Sequence, residues 1–366
     1  MPFRYLGVPI KAGRLTKKEC NSITEKMVAR IRSLGARKLS YAGRITLINS
    51  VLNTLYNYWA TMFILPKGVI KRVEAICRNF LWDGSSDFHR VPTVSWEKVT
   101  CPKNEGGLGI KKAELWNIAT VGKLVDWVYC KEDRLWIKWI SQIYIRNQDW
   151  HDYIPPNDAN WSWKNVCKVK EALKHGYDNA VWTANIKGYT IRSGYDCLRT
   201  SYPAQSWPSI VWNSWNIPKH SIITWLIMND GMNVKQKLYK WGCCEDDLCC
   251  LCYRETETTE HLFLACEYSC RVSTEVERRI GMQFPTLSRL INGNKKKLQW
   301  RFLTAVLNAV YYSVWMQRNN ARVNVMILRP EHVAKQVKEL VVKRLKFKLG
   351  RNSDLDAMDW MRKIGM

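Results

Sequence analysis

The chain has 366 residues, and its content of 46% hydrophobic and 12% aromatic residues excludes an intrinsically disordered protein. Its formal net charge of +25 favours a polyanionic partner, nucleic acid before membrane. No apolar run has the length of a membrane span, so we expect no membrane partner. The alternative to a polyanionic partner is a generally basic surface.

Positive charge is concentrated at the two ends of the chain. Residues 1–76 contain 14 Lys and Arg against 3 Asp and Glu, and residues 295–366 contain 16 against 5. Each end therefore has a net charge of +11, and the long centre has little.

Three helices are predicted in the first 83 residues. Thr16 and Glu19 form a capping-box pattern, and the apolar spacing after them predicts a helix through Leu34. A second helix is predicted at about 40–63 and a third at about 69–81, which together make an antiparallel helical unit.

Cationic side chains are frequent in this helical unit. They are Lys17, Lys26, Arg30, Arg32, Arg37, Lys38 and Arg44. Almost no acidic residue is interleaved with them, so i,i+4 salt bridges do not explain the pattern. We predict that these side chains contact phosphates; the alternative is a solvated helix face.

The centre of the chain predicts further helices separated by irregular segments. Gly106-Gly107-Leu108-Gly109 favours a tight turn, because the strand and GxxxxGK context of a phosphate loop is absent. Residues 149–160 predict a linker or loop, and residues 188–191 have strand-like character. The other predicted helices lie within 115–145 and at about 193–201, 220–241, 298–319 and 330–349.

Tryptophan is unusually frequent, with 19 residues. Those of the apolar stretch between 115 and 145 are Trp116, Trp127, Trp136 and Trp139. Side chains of this size usually pack in a core, so we expect packing roles for them more than base stacking.

A cluster of soft ligands lies beyond the middle of the chain. Cys249, Cys252, His261 and Cys266 have the spacing C-x2-C-x8-H-x4-C. Three thiolates and an imidazole suit tetrahedral Zn²⁺, and four protein ligands leave no open position for a substrate. Seven of the 13 cysteines fall between residues 243 and 270, which is more typical of metal binding than of a disulfide framework. The pattern therefore predicts a structural zinc site.

The spacing of the last two ligands sets a geometric condition. Residues five apart on a regular helix are separated by roughly 140°, so His261 and Cys266 can share an ion only at a helix end or a distorted turn. Free, partly buried thiols without a metal are the alternative. One ligand could also be replaced by another cysteine of the cluster, and the candidates are Cys243, Cys244, Cys250 and Cys270.

Several motifs in a fixed order resemble the region that follows the polymerase palm in plant LINE-type (non-LTR) retrotransposon reverse transcriptases. The cysteine cluster, with YTIRSGY at 189–195 and WNSWNIPK at 212–219, is similar to their zinc-binding domain. YLGVP at 5–9 and GRITLINSV at 43–51 are similar to their thumb. The remaining matches are FLWDG at 80–84 and GGLGI at 106–110 in the connector, and residues 311–319 after the zinc domain.

This resemblance covers nearly the whole chain and implies a mainly α fold with four parts. They are a thumb-like helical region (1–83), a Trp-rich helical connector (84–185), a small zinc-stabilised domain (186–285) and a basic helical C-terminal region (286–366). The resemblance also gives the ligand roles to Cys249, Cys252, His261 and Cys266. One departure is Ser273, which stands where the family usually has a Trp shortly after the last cysteine.

Reverse transcription needs paired aspartates that hold two metal ions, usually in a Tyr/Phe-x-Asp-Asp turn. Asp246-Asp247 is the only adjacent pair in the sequence, and it lies inside the cysteine cluster. We therefore expect no catalytic residues and no enzyme activity. An active polymerase is the alternative that primer extension would reveal.

The resemblance implies binding of RNA or an RNA/DNA duplex, largely independent of sequence, with a thumb-like role for Arg37, Lys38 and Arg44. A palm could act in trans. The rival interpretations are a zinc-stabilised protein-interaction module and a decayed element copy without a selected function. No signal peptide opens the chain, so we expect an intracellular protein, nuclear or cytoplasmic, with reduced thiols.

Overall fold

A computed structural model has the mainly α fold that the sequence predicts. It describes residues 4–5, 8–9, 13–33, 39–87, 91–179, 181–182, 188–323 and 326–352. The α-helices among them are α1 (Asn21–Ser33), α2 (Tyr41–Leu47), α3 (Asn53–Ala60), α4 (Lys67–Asp83), α5 (Trp96–Thr100), α6 (Ala113–Tyr129), α7 (Leu135–Ile140), α8 (Trp161–Asp178), α9 (Ile191–Leu198), α10 (Pro208–Val211), α11 (Pro218–Met228), α12 (Lys235–Lys240), α13 (Glu267–Ile280), α14 (Leu287–Asn292), α15 (Leu298–Arg322) and α16 (Pro330–Asn352).

Shorter elements complete the described part of the chain. Turns of π-helix span Ile48–Leu52, Ser141–Ile145 and His261–Ala265, and a 3₁₀ turn spans Lys103–Glu105. The strands β1 (Arg4–Tyr5) and β2 (Val8–Pro9) pair antiparallel.

The chain divides into two compact units. The first unit comprises residues 1–39, 43–91 and 109–202, and the second comprises residues 40–42, 92–108 and 203–366. The four predicted parts, with boundaries after 83, 185 and 285, were placed by motifs rather than by compactness. They stay a prediction.

The first helix begins as its sequence predicts. Thr16 N–H donates to the Glu19 carboxylate (2.6 Å) and Glu19 N–H donates to Thr16 Oγ1 (3.3 Å), so the capping box is present. α1 then buries Ile23, Met27 and Ile31 at spacings of four residues. The apolar spacing of this segment therefore packs α1 into the first unit.

The next two predicted helices are also present. α2, a π-helical turn and α3 follow one another from Tyr41 to Ala60, so the second predicted helix contains one widened turn. α4 ends at Gly84, whose φ of +75° is readily adopted by glycine.

Aromatic side chains form much of the core of the first unit. The ring of Trp163 on α8 lies 5.5 Å from that of Trp150 and 5.6 Å from that of Tyr144, between centroids. Trp163 Nε1–H donates to the hydroxyl of buried Tyr153 (3.1 Å). The ammonium of Lys170 donates to three carbonyls of the segment before α8, at 2.8–3.2 Å. The predicted loop is therefore packed against α8 as part of this core.

The strand-like character predicted at 188–191 is wrong. Tyr189 is buried, and its hydroxyl donates to the carbonyl of Ala119 on α6 (2.6 Å). Thr190 caps α9 by accepting a hydrogen bond from Ser193 N–H (3.0 Å). A β-branched and aromatic sequence here begins a helix instead of pairing with a strand.

The single helix predicted at 220–241 is also wrong, because α11 and α12 are separate. Asp230 follows α11 with a φ of +49°, which a continuing helix does not allow, and Gly231 N–H donates back to Leu226 O (2.7 Å). Beyond α12, the helices α13, α15 and α16 pack on one another in the second unit. Among the described residues, no helix is both long and apolar enough to cross a bilayer.

The glycine-rich segment forms the predicted tight turn. Gly106 has a φ of +88°, and its carbonyl accepts a hydrogen bond from the indole of buried Trp225 (2.9 Å). A Cβ on Gly107 would lie 2.0 Å from Cys101 O, so the turn needs glycine there. These glycines therefore serve packing within the second unit.

Candidate metal centre

A short hairpin holds the first two cysteines of the predicted zinc site. Cys249 N–H donates to Glu255 O (2.8 Å) across the hairpin. At its turn, Tyr253 N–H donates to Cys249 O (2.9 Å), and Tyr253 has a φ of +56°. This tight turn brings Cys252 back toward Cys249, so that two sulfurs are available to one ion.

A π-helical turn supplies the other two ligands. It spans His261–Ala265, and Cys266 N–H donates to His261 O (2.6 Å). A hydrogen bond from residue i+5 to residue i widens the turn, so residues five apart come to the same side. Cys266, with a ψ of 129°, then begins α13. The local structure therefore contains the distorted turn that the spacing of His261 and Cys266 requires.

The four ligand atoms converge. All of them lie within 4.8 Å of one another. Cys249 Sγ is 3.8 Å from Cys266 Sγ, and Cys252 Sγ is 3.3 Å from His261 Nε2. Two Zn–S bonds of about 2.3 Å at a tetrahedral angle would separate their sulfurs by about 3.8 Å. The residues therefore fit a tetrahedral Cys3His zinc ion, and the predicted cofactor is confirmed.

Hydrogen bonds prepare one of the cysteines, Cys266, for a metal ion. The thiol of Cys249 donates to Cys266 Sγ, which lowers the pKa of Cys266, and the N–H groups of Ser269 and Tyr268 act in the same direction. The same contact raises the pKa of Cys249. The hydrogen bonds at the start of α13 thus favour the thiolate of Cys266, and a bound zinc ion would displace the thiol protons of its ligands.

The other cysteines of the cluster face different partners. Cys250 lies beside Glu257, Cys244 Sγ is 3.2 Å from Asp246 O, and Cys270 Sγ is 3.4 Å from a backbone carbonyl. Cys243 is exposed. Among the described residues, none of these four joins the group of converging ligands. The structure therefore favours the ligand set that the spacing predicts.

A carboxylate lies against the outer nitrogen of the ligand histidine. Glu255 Oε2 is 2.9 Å from His261 Nδ1, although the pair is not aligned as a hydrogen bond. Metal-bound histidines commonly have such a partner, which fixes the tautomer. Nε2 faces Cys252 Sγ at 3.3 Å, so the ring presents Nε2 to the metal position and turns Nδ1 toward Glu255.

A buried ion pair connects the hairpin to α15. Glu257 is 0% exposed and Arg318 is 1% exposed, and the guanidinium donates to Glu257 Oε1 at 2.6 and 2.9 Å. The same carboxylate accepts hydrogen bonds from Lys235 N–H (2.8 Å) and Cys250 N–H (3.4 Å). Arg318 also donates to Asn233 O (3.1 Å). Sequence reasoning missed this pair, and only the similarity of residues 311–319 to the family pointed at Arg318.

The structure separates the predicted phosphate contacts into three groups. Lys17, Lys26 and Arg30 are exposed. Arg44 is buried and donates to the carbonyl of Leu81 on α4 (3.1 Å), a contact that holds two helices together. Arg37 and Lys38 lie outside the described residues. The phosphate roles of these six residues stay predictions.

Comparison with known families assigns the metal centre to a class. Residues 189–272 match the zinc-binding domain in reverse transcriptase. The match includes all four ligands, so this part of the chain is a zinc-binding domain of the reverse-transcriptase type.

Two proteins of Arabidopsis thaliana are similar to parts of the chain. One, named "putative ribonuclease H protein", is 29% identical over 175 residues, which cover 46% of this chain and 28% of that protein. The other, named an uncharacterized mitochondrial protein, is 33% identical over 85 residues, which cover 23% of this chain and 59% of that protein. The chain thus spans less than two thirds of the length of either relative. With the domain match, they confirm the resemblance to a region derived from a plant retrotransposon reverse transcriptase.

Proposed function

We propose that the chain is a nucleic-acid-binding part of a LINE-type reverse transcriptase, which holds RNA or an RNA/DNA duplex through its phosphates. The outer face of α1 is the observation that supports this best. Lys26 and Arg30 lie one turn apart on the same side of α1 and are exposed, while Ile23 and Met27 of the same helix are buried. Contacts to phosphate give affinity without reading sequence, so little sequence preference is expected.

In this proposal the zinc ion has a structural role and the chain alone is no polymerase. Four protein ligands leave the metal no position for a substrate. Of the adjacent aspartates, Asp246 forms an ion pair with Lys235 beside the hairpin, so it is engaged in structure. A palm in trans would supply the two-metal chemistry. The location we propose is intracellular, nuclear or cytoplasmic, because the thiolate ligands stay reduced there.

A salt titration of binding tests the phosphate proposal. Fluorescence anisotropy with a labelled RNA/DNA duplex should give a log–log slope of about −0.7 to −0.9 per neutralised phosphate. Arg30→Ala should weaken binding to every sequence alike and make the slope shallower by about one phosphate. Lys168→Ala, which removes an exposed cation of α8, is the matched control and should leave the slope unchanged.

The proposal fails if affinity does not depend on ionic strength, or if both alanine variants have the same effect. Primer extension on a homopolymer template should yield no product. A product from the purified chain would instead establish an active polymerase.

A protein-interaction module is the second candidate, and exposed aromatic residues near the zinc site favour it. Tyr239, Trp241 and Tyr253 are 52%, 59% and 71% exposed. Exposed apolar side chains often belong to protein-binding surfaces. This candidate predicts oligonucleotide binding that is weak and insensitive to salt, which is the opposite outcome of the titration.

A further inference from the structure

A cavity of about 510 Å³ lies within the first unit beside its aromatic core. Its volume falls in the range of small-molecule sites. Six of its lining residues define its character: Trp127, Arg134, Trp136, Trp139, Tyr144 and Trp163. Together with Phe63, these residues place six aromatic rings and one guanidinium around a single cavity.

Two indoles of this cavity are only partly covered by the protein. Both lie on the short helix α7, where Trp136 is 38% exposed and Trp139 is 50% exposed. That helix is anchored by Ile137 and Ile140, each 2% exposed. The packing role expected for these two tryptophans from the sequence therefore accounts for only part of their surface.

The rings of the cavity meet in two geometries, one stacked pair and two edge-on pairs. Tyr144 and Trp163 are stacked at 27°, with centroids 5.6 Å apart. Trp139 meets Tyr144 edge-on at 79°, and Trp136 meets Trp163 edge-on at 72°. A flat aromatic ligand could stack on one ring face and meet the edge of another, the two geometries that aromatic pairs prefer.

A cation and polar groups accompany the rings. The guanidinium of Arg134 lies 3.9 Å above the ring of Trp127, and its side chain is 50% exposed. The nearby Glu132 carboxylate is 3.8 Å from Arg134, and the next acidic residue, Asp133, pairs with Lys138 (2.5 Å). Asn160 and Ser162 also line the cavity and offer hydrogen-bonding groups.

We infer that this cavity binds unpaired nucleobases of single-stranded nucleic acid. The indoles of Trp136 and Trp139 provide the stacking faces, and Arg134 meets a phosphate next to the bound base. Unpaired strands are recognised in this way elsewhere, by aromatic or guanidinium planes beside a positively charged path. An apolar peptide is the less favoured occupant, because the guanidinium in the lining and a chain charge of +25 match a polyanion.

This inference rests on the proposed function, because both have nucleic acid as the partner. The two differ in the chemical group that is bound: the cavity binds bases, and the face of α1 binds phosphates. The experiment therefore compares two strands with the same phosphates. One is a single-stranded RNA of about 12 nucleotides, and the other is an abasic strand of equal length. The wild-type chain should bind the base-bearing strand about tenfold more tightly.

Variants at the cavity should remove that preference. Trp139→Ala and Trp136→Ala should each bring the two affinities close to equality while leaving the salt slope unchanged. Trp139→Phe keeps a ring and should retain most of the preference. Trp241→Ala removes an exposed tryptophan of the second unit and is the matched control, which should behave as wild type.

Each outcome separates this inference from the proposed function. Salt-dependent binding without any base preference, or a preference that survives Trp139→Ala in a folded variant, overturns the cavity assignment and leaves the phosphate proposal standing. A base preference without salt dependence overturns the phosphate proposal and leaves the cavity assignment standing. Binding of an apolar peptide in place of either strand would assign the cavity to a protein partner and overturn it.

Discussion

Trp163 in the first unit and Cys266 in the second are both buried, but their surroundings stabilise structure in different ways. Around Trp163, many large rings each contribute apolar area, so the stabilisation is spread over residues that are distant in sequence. Around Cys266, four ligand atoms converge within 4.8 Å on a site for one ion, so the loss of a single ligand affects all of them.

This difference also determines which parts of the structure can be predicted from short sequence motifs. The zinc site is built from two segments that each carry two ligands at short spacing, and the ligand types identify the metal. Its support is not local, because Arg318 lies 61 residues beyond Glu257. The zinc ligands can therefore be predicted from the sequence, whereas the buried ion pair that supports them cannot.

The largest effect outside the ligands is expected at this ion pair. Glu257→Gln leaves the Arg318 guanidinium buried without its counter-charge, which typically costs about 3–5 kcal/mol. Chemical denaturation of the zinc-loaded protein should show this loss in the second unit, while the aromatic core of the first unit keeps its unfolding midpoint.

A double variant sharpens the comparison. Glu257→Gln with Arg318→Met removes both charges and should recover part of the loss, because no uncompensated charge stays buried. If Glu257→Gln alone were neutral, the ion pair would not support the hairpin.

A smaller, pH-dependent effect is expected from His220 in the second unit. Its ring is 1% exposed and stacks on Tyr312, and burial with the nearby Lys219 charge lowers its pKa from 6.5 to about 3. The unfolded chain binds this proton more readily, so stability is lost as the pH falls from 6.5 toward 3. The expected loss is about 1 kcal/mol between pH 6.5 and 5.5, and the slope approaches about 1.4 kcal/mol per pH unit at lower pH.

The comparison for this prediction is His220→Phe, which keeps a ring against Tyr312 but cannot titrate. The unfolding free energies of both proteins are measured between pH 6.5 and 5.5. The other titrating groups affect both proteins alike, so the difference between the two pH dependences reports His220. Equal slopes for the two proteins would show that His220 does not couple folding to protons.

The sequence predicted elements whose signals are local. The capping box at Thr16 and Glu19, the turn at Gly106 and the four zinc ligands depend on neighbouring residues, and each has the predicted structure. The need for a distorted turn between His261 and Cys266 was also predictable, because a regular helix could not bring them together.

The errors come from tertiary context. Tyr189 suggests a strand by its residue type. In the structure its hydroxyl instead donates a hydrogen bond to the carbonyl of Ala119, 70 residues away. The helix predicted across Asp230 is wrong because Asp230 has a positive φ. Aspartate adopts such a φ more often than most residues, and nothing in the local sequence indicates it. The exposed faces of Trp136 and Trp139 could not be predicted, because burial depends on how α7 packs on distant segments.

The metal content of the purified chain tests the central claim most directly. Elemental analysis should find about one zinc ion per chain, and Cys252→Ser with His261→Ala should lose it. Cys243→Ser with Cys244→Ser removes two cysteines that lie outside the converging group and should retain the ion. Undiminished zinc in the first double variant, or its loss in the second, would contradict a site formed by Cys249, Cys252, His261 and Cys266.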